Sequence, residues 1–227
     1  MASYCLLNSL LQISMHLSLI GMSGSGKSYW STELAELGYL RFCCDELIAD
    51  KLAAELNRSD GTAVDLGEWM GFPYEPPYKE RAYKYLACEI EVIGEILDYL
   101  SGSNPDEKVV VDTTGSVIYT GKDMLERLKS NSTVVHLATP PEVKERMLRV
   151  YLGQPRPVLW REVFSKKRGE TNEESLARCY PLLLFSRQRL YEQYADVTID
   201  YYVRHRKGFG VKDFLGEIQS QIRGHRA

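Results

Sequence analysis

The most informative stretch of this 227-residue sequence runs Gly21-Met22-Ser23-Gly24-Ser25-Gly26-Lys27-Ser28. It matches the pattern G-x-x-x-x-G-K-[ST], in which glycines let a loop wrap so that successive backbone N–H groups point inward at an anion. The apolar run His16–Ile20 precedes it, and a helix-like stretch begins at Lys27. A helix N-terminus placed there adds its partial positive charge to the same anion site. The pattern therefore predicts a phosphate-binding loop, or P-loop, for ATP.

The motif also assigns roles to individual residues. Lys27 is predicted to reach the β- and γ-phosphates of ATP, and Ser28 to ligate Mg²⁺ through its hydroxyl, as the corresponding residues of P-loops generally do. The nucleotide contacts that we expect from this segment come from Gly21, Ser23, Gly24, Ser25, Gly26, Lys27, Ser28 and Tyr29. ATP and Mg²⁺ are thus the predicted cofactors.

Composition describes an ordinary globular chain. Hydrophobic residues make up 44% and charged residues 26%, and the formal net charge of −3 gives no pull toward nucleic acid. No apolar run approaches the roughly 20 residues that span a bilayer. The five cysteines, odd in number and without C-x-x-C spacing, favour a reduced intracellular setting. We expect a single domain at residues 15–227, after a dispensable N-terminal extension at residues 1–14.

Short apolar runs alternate with longer helix-like stretches, the pattern of a parallel sheet covered by helices on both faces. Five runs rich in Val, Ile and Leu are predicted as buried strands: His16–Ile20, Leu40–Cys44, Val109–Asp112, Val134–Ala138 and Val197–Ile199. The predicted fold class is therefore α/β, a three-layer P-loop fold with a five-stranded parallel sheet flanked by helices.

Helices are predicted between these strands from apolar spacing and capping residues. They are Lys27–Leu37, Asp45–Leu56 with Asp45 as its cap, Pro77–Leu100, a helix from Pro140-Pro141 to about Gly153, Glu173–Tyr194 and Asp213–Ile222.

Two further segments are predicted to serve a site: a substrate-binding insertion at about residues 57–100, and a mobile basic lid at about residues 153–172. The alternative for the second segment is a solvated surface loop.

From the P-loop onward, four places resemble shikimate kinases and their relatives the gluconate kinases, over most of residues 16 to 200. They are the P-loop itself, the strand end Phe42-Cys43-Cys44-Asp45, the segment Gln154-Pro155-Arg156-Pro157-Val158-Leu159, and Arg187-Gln188-Arg189-Leu190-Tyr191-Glu192. The resemblance implies that Asp45 orients and deprotonates the acceptor hydroxyl and that Arg156 moves with the lid to neutralise the transferring phosphoryl group. It also implies nucleotide contacts from Arg149 and Arg156, and a substrate carboxylate on Arg187.

Two departures from the family limit what the resemblance implies about the acceptor. Cys43 replaces an aspartate that helps to hold Mg²⁺ in the family, and a neutral thiol is a poor partner for that hard cation. Asp112, which ends the run Val109–Asp112, is the predicted replacement, with a strand-end capping role as the alternative. Thr113-Thr114-Gly115 stands where the family has three glycines, so only Gly115 matches and the two threonines are expected to change that wall of the pocket.

The aromatic segment Trp69-Met70-Gly71-Phe72-Pro73-Tyr74-Glu75-Pro76-Pro77-Tyr78 is predicted either to line an acceptor pocket or to pack in the core. Arg81 or Lys79 is the candidate for a further substrate arginine of the family.

We expect an ATP-dependent kinase of a small hydroxylated metabolite, with a carboxylate-bearing acceptor favoured by Arg187. Alternatives are a nucleoside or nucleotide kinase, and a nucleotide-binding protein whose catalysis is weakened by Cys43. We expect a cytoplasmic monomer that binds neither membrane nor nucleic acid.

Overall fold

The structure, a computed structural model, describes residues 16–57, 61–104, 106–153 and 156–224. The predicted N-terminal extension, and Gln154 and Pro155 of the lid segment, lie outside these ranges. Among the helices of the described residues, none combines the length and the apolar character that crossing a membrane requires.

Five parallel strands form one sheet at the centre of the fold, which confirms the predicted fold class. The strands are β1 His16–Ile20, β2 Leu40–Cys43, β3 Val109–Asp112, β4 Thr133–Leu137 and β5 Val197–Ile199. Their order in the sheet is β2-β3-β1-β4-β5. Every residue of the central β1 is buried, as expected for a strand covered on both faces. The predicted strand bounds differ from the observed ones by one residue at the end of β2 and at both ends of β4.

Ten α-helices surround the sheet within the described residues. They are α1 Lys27–Glu36, α2 Cys44–Lys51, α3 Ala53–Leu56, α4 Leu66–Met70, α5 Tyr78–Gly102, α6 Lys122–Asn131, α7 Pro141–Gly153, α8 Asn172–Tyr194, α9 Tyr201–Arg204 and α10 Val211–Gly224. One helix was predicted over residues 45–56, whereas the structure divides this segment at Leu52 into α2 and α3. The prediction of Asp45 as a helix cap was wrong, because Cys43 is the N-cap and Asp45 lies in the first turn.

Two apolar layers cover the two faces of the sheet. On one face, Trp30 of α1 stacks on Phe214 of α10 with ring centroids 4.4 Å apart, and both belong to a buried cluster with Leu17 and Leu19 of β1. The larger cluster on the other face joins α5, α6 and α8 to the sheet. Alternate residues of β1, β3 and β4 therefore contribute to opposite layers, as the pleat of a strand requires.

The carboxyl ends of β1, β3 and β2 lie side by side and carry the P-loop, Asp112 and Cys43. Strand register pairs Leu19 with Asp112, and Asp112 with Cys43. Ligands of open α/β sheets bind at this edge because the loops that follow the strands converge there.

Part of the aromatic segment and part of the predicted lid are buried in the core. Tyr78 Oη donates a hydrogen bond to Val158 O at 2.9 Å and accepts one from Trp160 N at 2.8 Å. Trp160 is fully buried, and its Nε1 donates to Tyr151 Oη at 3.0 Å. The prediction of a mobile lid over residues 153–172 therefore missed an anchor at residues 158–160, and the mobility of the remainder stays a prediction.

Replacing the anchor side chain tests this packing. We predict that Trp160→Ala lowers the free energy of unfolding by about 3–5 kcal/mol, because it removes a buried indole and leaves a cavity. Leu182→Ala, at a leucine that is 56% exposed on α8, is the control and should change it by less than about 0.5 kcal/mol. Urea denaturation measures both. Equal stabilities of the two variants would show that residues 158–160 do not pack in the core.

Candidate functional site

A cavity of about 870 Å³ opens at the carboxyl edge of the sheet. The P-loop forms one end of it, the side of α2 and α3 forms a wall, and residues 63–67 continue that wall. Gly115 and the pair Arg156-Pro157 complete the lining. The volume is in the range of ligand sites, which are usually about 300–1,000 Å³.

The glycines of the P-loop are required by its conformation. Gly24 and Gly26 have φ angles of +81° and +97°, which side chains rarely adopt. A Cβ on Gly21 would lie 3.0 Å from Leu137 O. Gly26 is the N-cap of α1, so the loop leads directly into a helix N-terminus, where free backbone N–H groups favour an anion. This geometry fits the phosphates of a nucleotide.

Lys27 lies inside the loop that it is predicted to serve. Its Nζ donates hydrogen bonds to Gly21 O and Met22 O, both at 3.0 Å, and the side chain is buried. Burial lowers the pKa of Lys27, while the charges of Asp112 and Asp45 oppose that effect. Lys27, Ser28 and Tyr29 all line the cavity, with Ser28 exposed on its surface.

Asp45 lies on the α2 wall of the cavity, with Tyr85 behind it. Tyr85 Oη donates to Asp45 Oδ1 at 3.3 Å. The side chain is exposed to the cavity, and desolvation by the protein around it raises its pKa despite the opposing charge of Lys27. A carboxylate with a raised pKa is a better proton acceptor at neutral pH, which suits the role that the resemblance implies.

Asp112 is held by Arg41, a residue that the sequence analysis missed. Arg41 Nη2 donates to Asp112 Oδ2 at 3.1 Å, and Ser31 Oγ donates to the same oxygen at 3.1 Å. Arg41 Nε also donates to Ser31 Oγ at 2.8 Å. Arg41 is a charged residue inside an otherwise apolar strand, and this position was the feature of the sequence that could have identified it. Asp112 does not line the cavity, and any contact with a metal ion is left to its other oxygen or to water.

Of the four predicted arginines, Arg156 alone lines the cavity. Arg187 is buried and donates to Gly115 O at 3.0 Å and to Leu159 O at 2.8 Å. Arg81 donates to Trp69 O and lies over the Trp69 ring at 5.8 Å. Arg149 is an exposed side chain of α7 that is not part of the cavity lining.

The turn after β3 is held from behind by a buried carboxyl group on α5 that the sequence analysis also missed. Glu89 is fully buried and accepts hydrogen bonds from Thr114 Oγ1 and from Ser116 Oγ, the latter at 2.8 Å. Thr113 Oγ1 donates to Leu19 O at 2.7 Å. The expectation that the two threonines shape the pocket wall was wrong, because both hydroxyls are turned into the protein. Glu89 lies on the apolar face of a predicted helix, and this position was the feature of the sequence that could have identified it.

Gly115, by contrast, does line the cavity, and it needs to be glycine. A Cβ at this position would lie 3.0 Å from Ser23 N and 3.3 Å from Arg187 Nη1. The turn after β3 and the P-loop therefore approach each other with no room for a side chain.

Comparisons with known proteins support the fold. No family model and no curated protein matches the sequence. Among solved structures, a shikimate kinase of Acinetobacter baumannii in complex with shikimate is similar, with 22% identity, a TM-score of 0.58, and coverage of 96% of this chain and 97% of that one. Shikimate kinases of Bacteroides thetaiotaomicron and Aquifex aeolicus have TM-scores of 0.56, with 19% and 18% identity. They cover 93% of this chain and 96% and 98% of their own. The chain thus has the fold of shikimate kinases.

The buried carboxyl group gives a test by pH. Burial raises the pKa of Glu89 from its ordinary 4.5 to about 7. The unfolded chain therefore loses this proton first, and stability falls by on the order of 3 kcal/mol as pH rises from about 4.5 to about 7. We predict that Glu89→Gln, which cannot ionise, removes this part of the pH dependence.

Urea denaturation of both proteins at pH 5 and pH 8 measures the effect. The wild type should lose more stability between the two pH values than Glu89→Gln does. An identical loss in both proteins would show that Glu89 does not titrate in this range.

Proposed function

We propose that this chain is an ATP-dependent small-molecule kinase that transfers the γ-phosphoryl group to a hydroxyl of a small metabolite. One observation carries the proposal: Lys27 of the P-loop, Asp45 of α2 and Arg156 of the lid segment line a single cavity. A donor anion site, a proton acceptor and a mobile cation are the parts that phosphoryl transfer requires, since its catalysis is mostly positioning and electrostatic stabilisation.

The P-loop would hold the donor. Backbone N–H groups of residues 23–28 and the amine of Lys27 would bind the phosphates, and Ser28 offers a hydroxyl to Mg²⁺. When bound, Mg²⁺ neutralises charge on the β- and γ-phosphates. Asp112 would help to hold Mg²⁺ through its Oδ1 or through a water molecule, because Arg41 and Ser31 already donate hydrogen bonds to its Oδ2.

Asp45 would act on the acceptor. Its carboxylate faces the cavity, and Tyr85 fixes one of its oxygens. An acceptor hydroxyl hydrogen-bonded to the other oxygen would be oriented toward the P-loop and would give its proton to Asp45.

Arg156, which lines the same cavity, would neutralise the charge of the transferring group. It stands two residues before the buried residues 158–160, which would fix one end of the predicted lid. Closure would also exclude water from the reacting phosphate.

A nucleotide-binding protein with weakened catalysis is the second candidate, favoured by the surroundings of Cys43. Burial raises the pKa of Cys43 to about 11, so the thiol is neutral at pH 7 and is a poor ligand for Mg²⁺. Its neighbour in the sheet, Asp112, is paired with Arg41. Both features weaken the metal-binding corner relative to the family pattern.

Steady-state measurement of ADP formation with a broad panel of hydroxylated metabolites tests the proposal. Lys27→Ala should reduce kcat about 100- to 1,000-fold through loss of charge stabilisation. Asp45→Asn should reduce it about 100- to 10,000-fold through loss of the proton acceptor. Lys122→Ala and Asp123→Asn, at exposed positions of α6, are the matched controls and should leave kcat unchanged.

Acceptor-dependent ADP formation that survives Lys27→Ala would contradict the proposal. Binding of ATP by calorimetry without turnover on any acceptor would favour the second candidate.

A further inference from the structure

We infer that Glu89 receives the proton that Asp45 takes from the acceptor hydroxyl, through the side-chain hydroxyls of Tyr85 and of Thr114 or Ser116. The inference rests on the proposed function, in which Asp45 is the proton acceptor, and it deepens the chemistry of the same site. Tyr85 and Glu89 act on the substrate only through Asp45, so they are positioning residues for its proton. The hydroxyls of Tyr85, Thr114 and Ser116 are called the proton path below.

The proton path begins at the cavity wall. Tyr85 Oη donates to Asp45 Oδ1 at 3.3 Å. Burial raises the pKa of Tyr85 well above its ordinary value, and hydrogen bonds with Thr114 and Ser116 oppose that shift, so both hydroxyls lie beside the phenol. Thr114 Oγ1 and Ser116 Oγ are 3.0 Å apart. Tyr85 therefore joins Asp45 to the turn after β3.

The proton path ends at Glu89. Thr114 Oγ1 donates to Glu89 Oε1, and Ser116 Oγ donates to Glu89 Oε2 at 2.8 Å. The three hydroxyl residues and Glu89 are at most 2% exposed, whereas Asp45 is exposed at the cavity. Both oxygens of the buried carboxyl group thus accept from hydroxyls, and a hydroxyl can take up one proton while it gives up another.

An ionisable group is not needed at this position to hold the turn. Glutamine has nearly the same shape, and it could accept from one hydroxyl and donate to the other without the free-energy cost of burying an ionisable group. A buried carboxyl group with a shifted pKa and specific partners beside a cleft is typical of a functional position. Its connection to Asp45 identifies what that function is.

The titratable or charged groups that face Glu89 are Tyr85 of its own helix, Asp45 and Cys44 of α2, and Arg187 and Tyr191 of α8. Burial raises the pKa of Glu89 to about 7, while its two hydroxyl partners and the charge of Arg187 oppose the shift and the charge of Asp45 adds to it. Burial also raises the pKa of Tyr85, Cys44 and Tyr191, so these groups stay protonated at neutral pH. Glu89 can therefore bind and release a proton near pH 7.

The transfer moves one proton and changes the charge of Glu89 alone among the protein groups. The acceptor oxygen bonds to the γ-phosphorus, the bond from that phosphorus to the ADP oxygen breaks, and the acceptor proton passes to Asp45. Protonated Asp45 then donates to Tyr85 Oη, the phenol proton moves to the hydroxyl of Thr114 or Ser116, and that hydroxyl gives its own proton to the Glu89 carboxylate. After product release, the reverse movement returns the proton to water in the cavity.

Single-turnover rates of phosphoryl transfer from pH 6 to pH 8 test the inference. Shikimate, gluconate, glucose and glycerol are tried as acceptors with ATP and Mg²⁺, and the acceptor with the fastest Lys27-dependent transfer is used. The wild-type rate should rise about tenfold over this range, because Glu89 must be ionised to receive the proton. Glu89→Gln should lose this rise and at pH 8 should be about tenfold slower than the wild type.

Tyr85→Phe separates a proton path from an effect of the Glu89 charge on Asp45. It leaves that charge in place and interrupts the path, so it should also lose the rise with pH, and the double variant should be no slower than either single one. Glu91→Gln, at an exposed carboxylate of the same helix that pairs with Lys51, is the matched control and should keep the wild-type profile. Urea denaturation at pH 8 shows whether each variant is folded.

Each outcome bears on one level of the account. A rise with pH that persists in Tyr85→Phe, or a loss in Glu89→Gln that is equal at pH 6 and pH 8, would overturn the inference and leave the kinase proposal intact. If Glu89→Gln does not fold, the profile of Tyr85→Phe decides alone. Absence of Lys27-dependent transfer to every acceptor of the metabolite panel would overturn the kinase proposal and the inference with it.

Discussion

The close approach of two backbone turns at the carboxyl edge of the sheet is the constraint on which the site depends. The P-loop after β1 and the turn after β3 meet where a Cβ on Gly115 would lie 3.0 Å from Ser23 N. On its other side the P-loop meets β4, since a Cβ on Gly21 would lie 3.0 Å from Leu137 O. The loop is therefore held between its neighbouring strands, and its N–H groups are oriented before any ligand binds.

Buried polar groups fix the turn after β3 in that position. Glu89 accepts from Thr114 and Ser116 on one side, while Arg187 Nη1 and Tyr191 Oη both donate to Gly115 O on the other. Polar groups buried without partners are costly, so these hydrogen bonds favour one arrangement of the turn. Arg187, for which the resemblance implied substrate binding, donates to two backbone carbonyls in this structure.

Much of the fold could be predicted because the P-loop has a fixed position between a strand and a helix. The five strands followed from short apolar runs, and their bounds are correct within one residue. The division of residues 45–56 into α2 and α3 could not be predicted, because no glycine or proline marks the break at Leu52. The buried anchor at Trp160 was missed for a related reason, since the basic residues around it suggested an exposed loop.

The lining of the cavity was predictable mainly where a motif or a point of resemblance fixes the position of a residue. Lys27, Ser28, Asp45, Gly115 and Arg156 all line the cavity, whereas Arg81, Arg149, Arg187 and Asp112 do not. The direction of a long arginine side chain depends on which carbonyl or carboxylate lies within reach, and these partners come from residues distant in sequence. Arg41 and Glu89 were missed for the same reason, because their partners are 71 and 25 residues away.

A crystal structure with Mg²⁺ and a nonhydrolysable ATP analogue tests the central claim most directly, that this cavity is a phosphate donor site. The account predicts that the triphosphate lies along residues 23–28 and that Lys27 Nζ, now 3.0 Å from Gly21 O and Met22 O, turns to the phosphate oxygens. An analogue bound elsewhere, or a Lys27 that keeps both carbonyl contacts while the phosphates lie outside the loop, would contradict it.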